Sequence, residues 1–109
     1  MSKIKQEKLN KMKKRVKRYI EILVEDGFPV TQAYIFGSYA RGDFKKYSDI
    51  DVCIVSPKLR RNWNKNEAYL WRKTLAVDHT IEPIGYSPEG FKQDFILGRE
   101  IRKNGIRIV

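Results

Sequence analysis

Apolar residues recur every three or four positions through the first part of the chain, at Leu9, Met12, Val16, Tyr19, Ile20 and Leu23. That spacing draws one stripe along an α-helix and predicts a long N-terminal helix packed by a single face. Its early turns are nearly all charged, so the first few residues are expected to fray. Gly27 can take the left-handed conformation that stops a helix, and Pro29 cannot continue one. The pattern then changes period. Ala33 to Phe36 and Asp49 to Val55 are short apolar runs suited to strands, the first ending at Gly37 and the second at Ser56-Pro57. A turn and a short helical stretch around Tyr39 to Arg41 lie between them. Lys58 to Lys65 reads as a basic connection carrying Trp63, and Asn66 to Ala76 as a helix with Ala68, Leu70, Trp71 and Leu75 available for packing. Thr80 to Tyr86 reads as a third strand despite Pro83, which has no N–H to donate and favours an edge position or an irregularity. Ser87-Pro88-Glu89 supplies a cap, a first-turn proline and an acid at the positive end of the next helix. Phe91, Phe95 and Ile101 are expected to face inward from it. Asn104-Gly105 turns the chain into a final strand, Ile106 to Val109. The order α-β-(α)-β-α-β-α-β predicts an α/β (α+β) fold, a small mixed β-sheet flanked by helices, in one domain spanning 1–109.

Length and composition agree with that picture. The chain has 109 residues, 41% of them hydrophobic and 33% charged, enough for one modest core. No apolar run approaches the roughly 18 residues of a membrane span, and the N-terminus lacks the apolar segment of a secretory signal. Cys53 is the one cysteine, set in an apolar strand, which points to a reducing cytoplasmic compartment. The net charge of +10 favours phosphates, nucleic acid or an acidic protein as partners. Nine cations fall between Lys3 and Arg18, forming either a solvated helix face or a binding face.

The chemistry concentrates in Gly37-Ser38-Tyr39-Ala40-Arg41-Gly42-Asp43, followed by Ser48-Asp49-Ile50-Asp51-Val52. A glycine at the end of a buried strand lets backbone approach a ligand closely, and a helix beginning beside it offers free N–H groups to phosphate oxygens. Asp49 and Asp51, two apart on a strand, project from one face about 7 Å apart along the backbone. At about 5 Å, two such charges repel by on the order of 3 kcal/mol at an effective dielectric of about 20. Nothing adjacent in sequence offsets this, and Mg²⁺ is the natural partner for carboxylates and triphosphate oxygens. Either dipeptide alone is a weak signal. Arg41 can reach a phosphate, or pair with Asp43 or Asp49. His79 reads as a surface or core-edge residue.

This run closely resembles the signature of the minimal nucleotidyltransferases, single-domain members of the DNA polymerase β-like superfamily. The resemblance extends loosely over nearly the whole chain. It implies that Gly37 and Ser38 contact a triphosphate, with Arg41 and Ser48 beside it, and that Asp49 and Asp51 ligate Mg²⁺. The family's third carboxylate, a metal ligand and base, is usually an aspartate on a neighbouring strand. Glu82 occupies that stretch here, with Asp78 of the same alternation parity as a weaker substitute. The longer glutamate and Pro83 both alter the position, and a shift of about 1 Å can cost a hundredfold in rate. Minimal members commonly pair with a small helical HEPN-type toxin and neutralise it, in characterised cases by adding AMP to a tyrosine. The resemblance thus implies transfer of AMP from ATP to such a partner. The competing readings are an antitoxin that acts by binding alone and a nucleic-acid-binding module using the basic N-terminal helix.

Overall fold

The computed structural model describes residues 1–109. Helix α1 (Lys3–Glu25) is capped by Ser2, whose side chain accepts from the Lys5 N–H, and it buries all six residues of the predicted stripe. Its first turns are anchored, contrary to the expected fraying, because the Lys5 ammonium donates to the Gly42 carbonyl at 2.9 Å. Gly27 takes φ +84°, the left-handed stop that its position predicts. Strand β1 (Gln32–Phe36), helix α2 (Ser38–Arg41) and strand β2 (Ile50–Val55) follow, then a 3₁₀ turn at Pro57–Arg60 and helix α3 (Trp63–Thr74). Strand β3 (Ile81–Tyr86), helices α4 (Pro88–Gln93) and α5 (Leu97–Asn104), and the short strand β4 (Ile106–Arg107) complete the chain.

The sheet order is β3-β2-β1-β4. β1 runs antiparallel to β2 and β4, and β2 runs parallel to β3, so the sheet is mixed as the pattern predicts. Strand alternation sends Ala33, Ile35, Val52 and Ile54 into a core shared with α1, including Val16 and Leu23. Tyr34, Cys53 and Val55 face the other way and pack with Phe91 and Ile101 of α4 and α5. Tyr19 ties α1 to α3 by donating its hydroxyl to the Leu70 carbonyl at 2.8 Å.

β3 is an edge strand, as Pro83 suggests, and α3 covers its open side. The Gly85 N–H donates to Glu67 at 2.9 Å, and the Trp63 indole N–H donates to the Gly85 carbonyl at 3.0 Å. Pro83 shares Gly85's parity, so its missing N–H falls on the side where β2 needs no donor.

Three sequence expectations are corrected. α3 begins three residues early, inside the supposed basic connection, and turns Leu70 and Thr74 inward. Ala68 is exposed, and Trp71 and Leu75 are 45% and 74% exposed, because the helix is phased by its contacts with β3 and not by its count of apolar residues. The final helical region is broken at Asp94, which accepts from the Tyr86 hydroxyl and the Ile96 N–H. That break leaves Phe95 outside, 74% exposed, while Phe91 and Ile101 are buried as predicted.

Candidate active site

The site grows from the end of β1. Gly37 takes φ +70°, and a Cβ there would stand 2.2 Å from Asp51 Oδ2, so a side chain is excluded by conformation and by space. Gly37 also caps α2, whose closing bonds run from Arg41 N–H to the Gly37 carbonyl and from Gly42 N–H to the Ser38 carbonyl. The N–H groups that begin such a helix have no partner within it. Tyr39 is buried and stacks on Phe44 at 4.1 Å between ring centres, which fixes the loop that follows. Ser48 closes that loop, its hydroxyl accepting from the Lys45 N–H at 2.7 Å and its own N–H donating to the Lys45 carbonyl.

Asp49 is exposed just before β2, one residue outside the strand predicted to contain it. Asp51 lies opposite Phe36 on β1 and opposite Glu82 on β3. The parallel register therefore places Glu82 beside Asp51, on the sheet face shared with Cys53 and Val55. Both carboxyls are half-buried. Burial holds Asp51 above the ordinary carboxylate range, reinforced by the charge of Asp49 and opposed by Glu82 and Arg41. Burial raises Glu82 too, followed by its closeness to Asp49 and Asp51. The three carboxylates approach one another without forming a preformed metal-holding arrangement, and no other trio of His, Cys, Asp or Glu forms one. Their chemistry, oxygen donors with shared excess negative charge, still suits a hard divalent cation.

Arg41 resolves toward one of its two predicted partners, donating to Asp43 at 3.3 Å on the exposed rim. Asp78, the weaker substitute for Glu82, lines the hollow that holds Asp49 but has partners of its own. It sits in the turn before β3, where strand parity does not apply, with its side chain 6% exposed against Arg15 at 2.5 Å. It also accepts from the Thr80 N–H and hydroxyl. Burial pushes Asp78 up, but Thr80 and Arg15 outweigh it and hold the group below the ordinary range. His79 is exposed, as expected. Cys53 is fully buried, its thiol pushed up to about 12 by burial, and is a packing residue.

Two hollows open beside the residues of this region. One of about 520 Å³ is lined by Phe36, Gly37, Ala40 and Arg41 with Leu97 and Glu100 of α5. The other, about 480 Å³, includes Tyr39, Tyr47, Ser48, Asp49 and His79. Both fall within the size range of small-molecule sites. A third, about 540 Å³ and lined by Lys58, Arg60, Arg61 and Lys65, lies at the opposite end of β2. Sequence pattern missed the contribution of α5 to the first hollow, since nothing local links Leu97 to Gly37.

A strand, a glycine turn, two aspartates and a third carboxylate thus gather at one end of the sheet. The chain belongs to the nucleotidyltransferase domain family, which it matches over residues 6–102, a span containing Gly37, Ser38, Asp49, Asp51 and Glu82. It is 31% identical over 97 residues to a Methanocaldococcus jannaschii protein named "Putative protein adenylyltransferase", covering 87% of this chain and 93% of that relative. It also resembles a crystal structure of a "putative nucleotidyltransferase" from Sulfolobus solfataricus, with a TM-score of 0.70 and 25% identity over 98% of this chain and 87% of that one. The protein is a nucleotidyltransferase with a mixed sheet between helices. No helix is long and apolar enough to cross a membrane.

Proposed function

We propose that the protein transfers AMP from ATP to a hydroxyl acceptor, a tyrosine of a helical HEPN-type toxin, releases pyrophosphate, and so acts as an antitoxin. The observation that carries the site reading is Asp51, held against Gly37 on one side and beside Glu82 on the other. Backbone N–H groups at Gly37 and Ser38, with the Ser38 hydroxyl, hold the triphosphate, and Arg41 and Ser48 line its approach. Asp49, Asp51 and Glu82 would hold Mg²⁺, which when bound supplies charge neutralisation at the phosphates and a more acidic acceptor hydroxyl. Glu82 accepts the acceptor's proton, a task suited to a carboxylate whose proton affinity burial and its neighbours have increased. Adenylyl transfer is favoured by the name of the archaeal relative. The basic face of α1, from Lys3 to Arg18, fits an acidic partner surface or nucleic acid.

The test is transfer of label from α-labelled ATP and Mg²⁺ to a HEPN-type protein, compared with Asp49→Asn/Asp51→Asn. Label on a partner tyrosine that disappears in the double variant is the expected result. Neutralisation of the toxin without any transfer, equal in both proteins, would leave a binding antitoxin instead. Steeply salt-dependent nucleic-acid binding lost on replacing the α1 lysines by glutamine would favour the third reading.

A further inference from the structure

The chain has six tyrosines, and five are built into the fold. Tyr19 is buried and bonded to the Leu70 carbonyl, and Tyr39 is buried against Phe44. The hydroxyls of Tyr34, Tyr69 and Tyr86 donate to Gln32, Asp26 and Asp94 at 2.8, 2.6 and 2.6 Å. Tyr47 differs from all of them. It is 85% exposed, with the Lys46 ammonium 5.5 Å from its ring centre. It immediately precedes Ser48 and Asp49 and lines the same 480 Å³ hollow as they do. If the hollow that holds Asp49 belongs to a centre that transfers nucleotides to hydroxyls, a free phenol lining it is itself an acceptor in chemical terms. Lys8 and Lys46 border the hollow and supply positive charge where a transferred phosphate would come to rest.

Resting on the reading of the site as an adenylyltransferase, we propose that Tyr47 is a self-modification site, adenylylated by the carboxylate centre beside it. The Tyr47 oxygen attacks the α-phosphorus of the bound triphosphate. A phosphorus–oxygen bond to the phenol forms as the bond to pyrophosphate breaks, and pyrophosphate leaves. The phenolic proton passes to water through a carboxylate of the site. No redox partner or further reactant is needed. The product carries AMP over the hollow that contains Asp49, where it competes with any second acceptor. Self-modification would therefore also restrain transfer to other proteins.

The experiment incubates the full chain with ATP and Mg²⁺ and follows its intact mass, with peptide mapping of the product. The wild type is expected to gain one AMP at Tyr47, while Tyr47→Phe and Asp49→Asn/Asp51→Asn gain none. Exposure of the ring predicts that Tyr47→Phe keeps the wild-type thermal midpoint, so a lost signal reports the hydroxyl and not the fold. A parallel reaction with a HEPN-type protein separates the two ideas. If the partner is labelled while the chain stays unmodified, or the AMP maps to another residue, self-modification at Tyr47 is wrong and the adenylyltransferase reading stands. If neither protein accepts label, both fail together.

Discussion

Asp78 and the Asp49–Asp51–Glu82 group are acids a short distance apart in the same fold, and they are treated in opposite ways. Asp78 is buried with an arginine and two Thr80 donors, so its charge is satisfied and its proton affinity falls. Asp51 and Glu82 are half-buried with other carboxylates as neighbours, and their proton affinity rises. The first arrangement holds α1 against the turn before β3. The second stores repulsion that only a proton or a cation relieves. The fold satisfies the first acid and leaves the others in conflict, and the conflicted acids are the ones the proposed transfer uses.

The largest expected effect comes from removing the conflicted charges. Asp49→Asn/Asp51→Asn should lower nucleotidyl transfer by about a hundredfold or more while leaving the far-ultraviolet circular dichroism unchanged. Asp78→Ala should do the reverse. Loss of the Arg15 and Thr80 contacts is expected to cost about 2–3 kcal/mol in urea unfolding, with transfer per folded molecule largely kept. If Asp78→Ala instead abolishes transfer without destabilising the chain, the contrast between the two groups collapses.

Gly37→Ala touches both stability and activity. A methyl at φ +70° meeting Asp51 Oδ2 should cost about 1–2 kcal/mol and displace the carboxylate, so the activity loss should exceed what the unfolded fraction explains.

The smallest effect is the sharpest in sign. Glu82→Gln should stabilise the chain in EDTA, by less than about 1 kcal/mol given its partial exposure, and should shrink the rise in thermal midpoint that Mg²⁺ gives the wild type. In pH terms, the penalty from Glu82 and Asp51 is fully present above their raised folded values. It fades as pH falls toward ordinary carboxylate values. The contribution of Asp78 is fully present above its ordinary value and is lost only as pH drops through its lowered folded one. Thermal melts across mildly acidic pH without divalent ions should therefore rise slightly before they fall.

Much of this was readable in one dimension because the interactions involved are local. The α1 stripe, the Gly27 stop, the Ser87 cap and the Gly37-Ser38 turn depend on residues within a few positions of each other. Asp49 and Asp51 were legible as a pair for the same reason. Glu82 was a different matter. Its parity equals that of Asp78, and resemblance alone favoured it. The parallel register sets Glu82 opposite Asp51, whereas Asp78 sits in the turn before β3 and pairs with Arg15. Trp63 looked like a member of a basic connection, and Glu67 carried no signal of its own. Their task of meeting the open backbone of Gly85 exists only once β3 becomes an edge.

The sequence by itself determined most of the elements and the acids able to conflict, because periodicity, capping and turn chemistry act over a few residues. Which acids are satisfied and which are left facing one another was decided by tertiary structure alone. That outcome depends on strand order, on the register of β2 with β3, and on where Arg15 reaches from α1, contacts between residues dozens of positions apart. Charge in a half-buried site is governed by neighbours in space, and for Asp51 and Glu82 those neighbours come from separate strands.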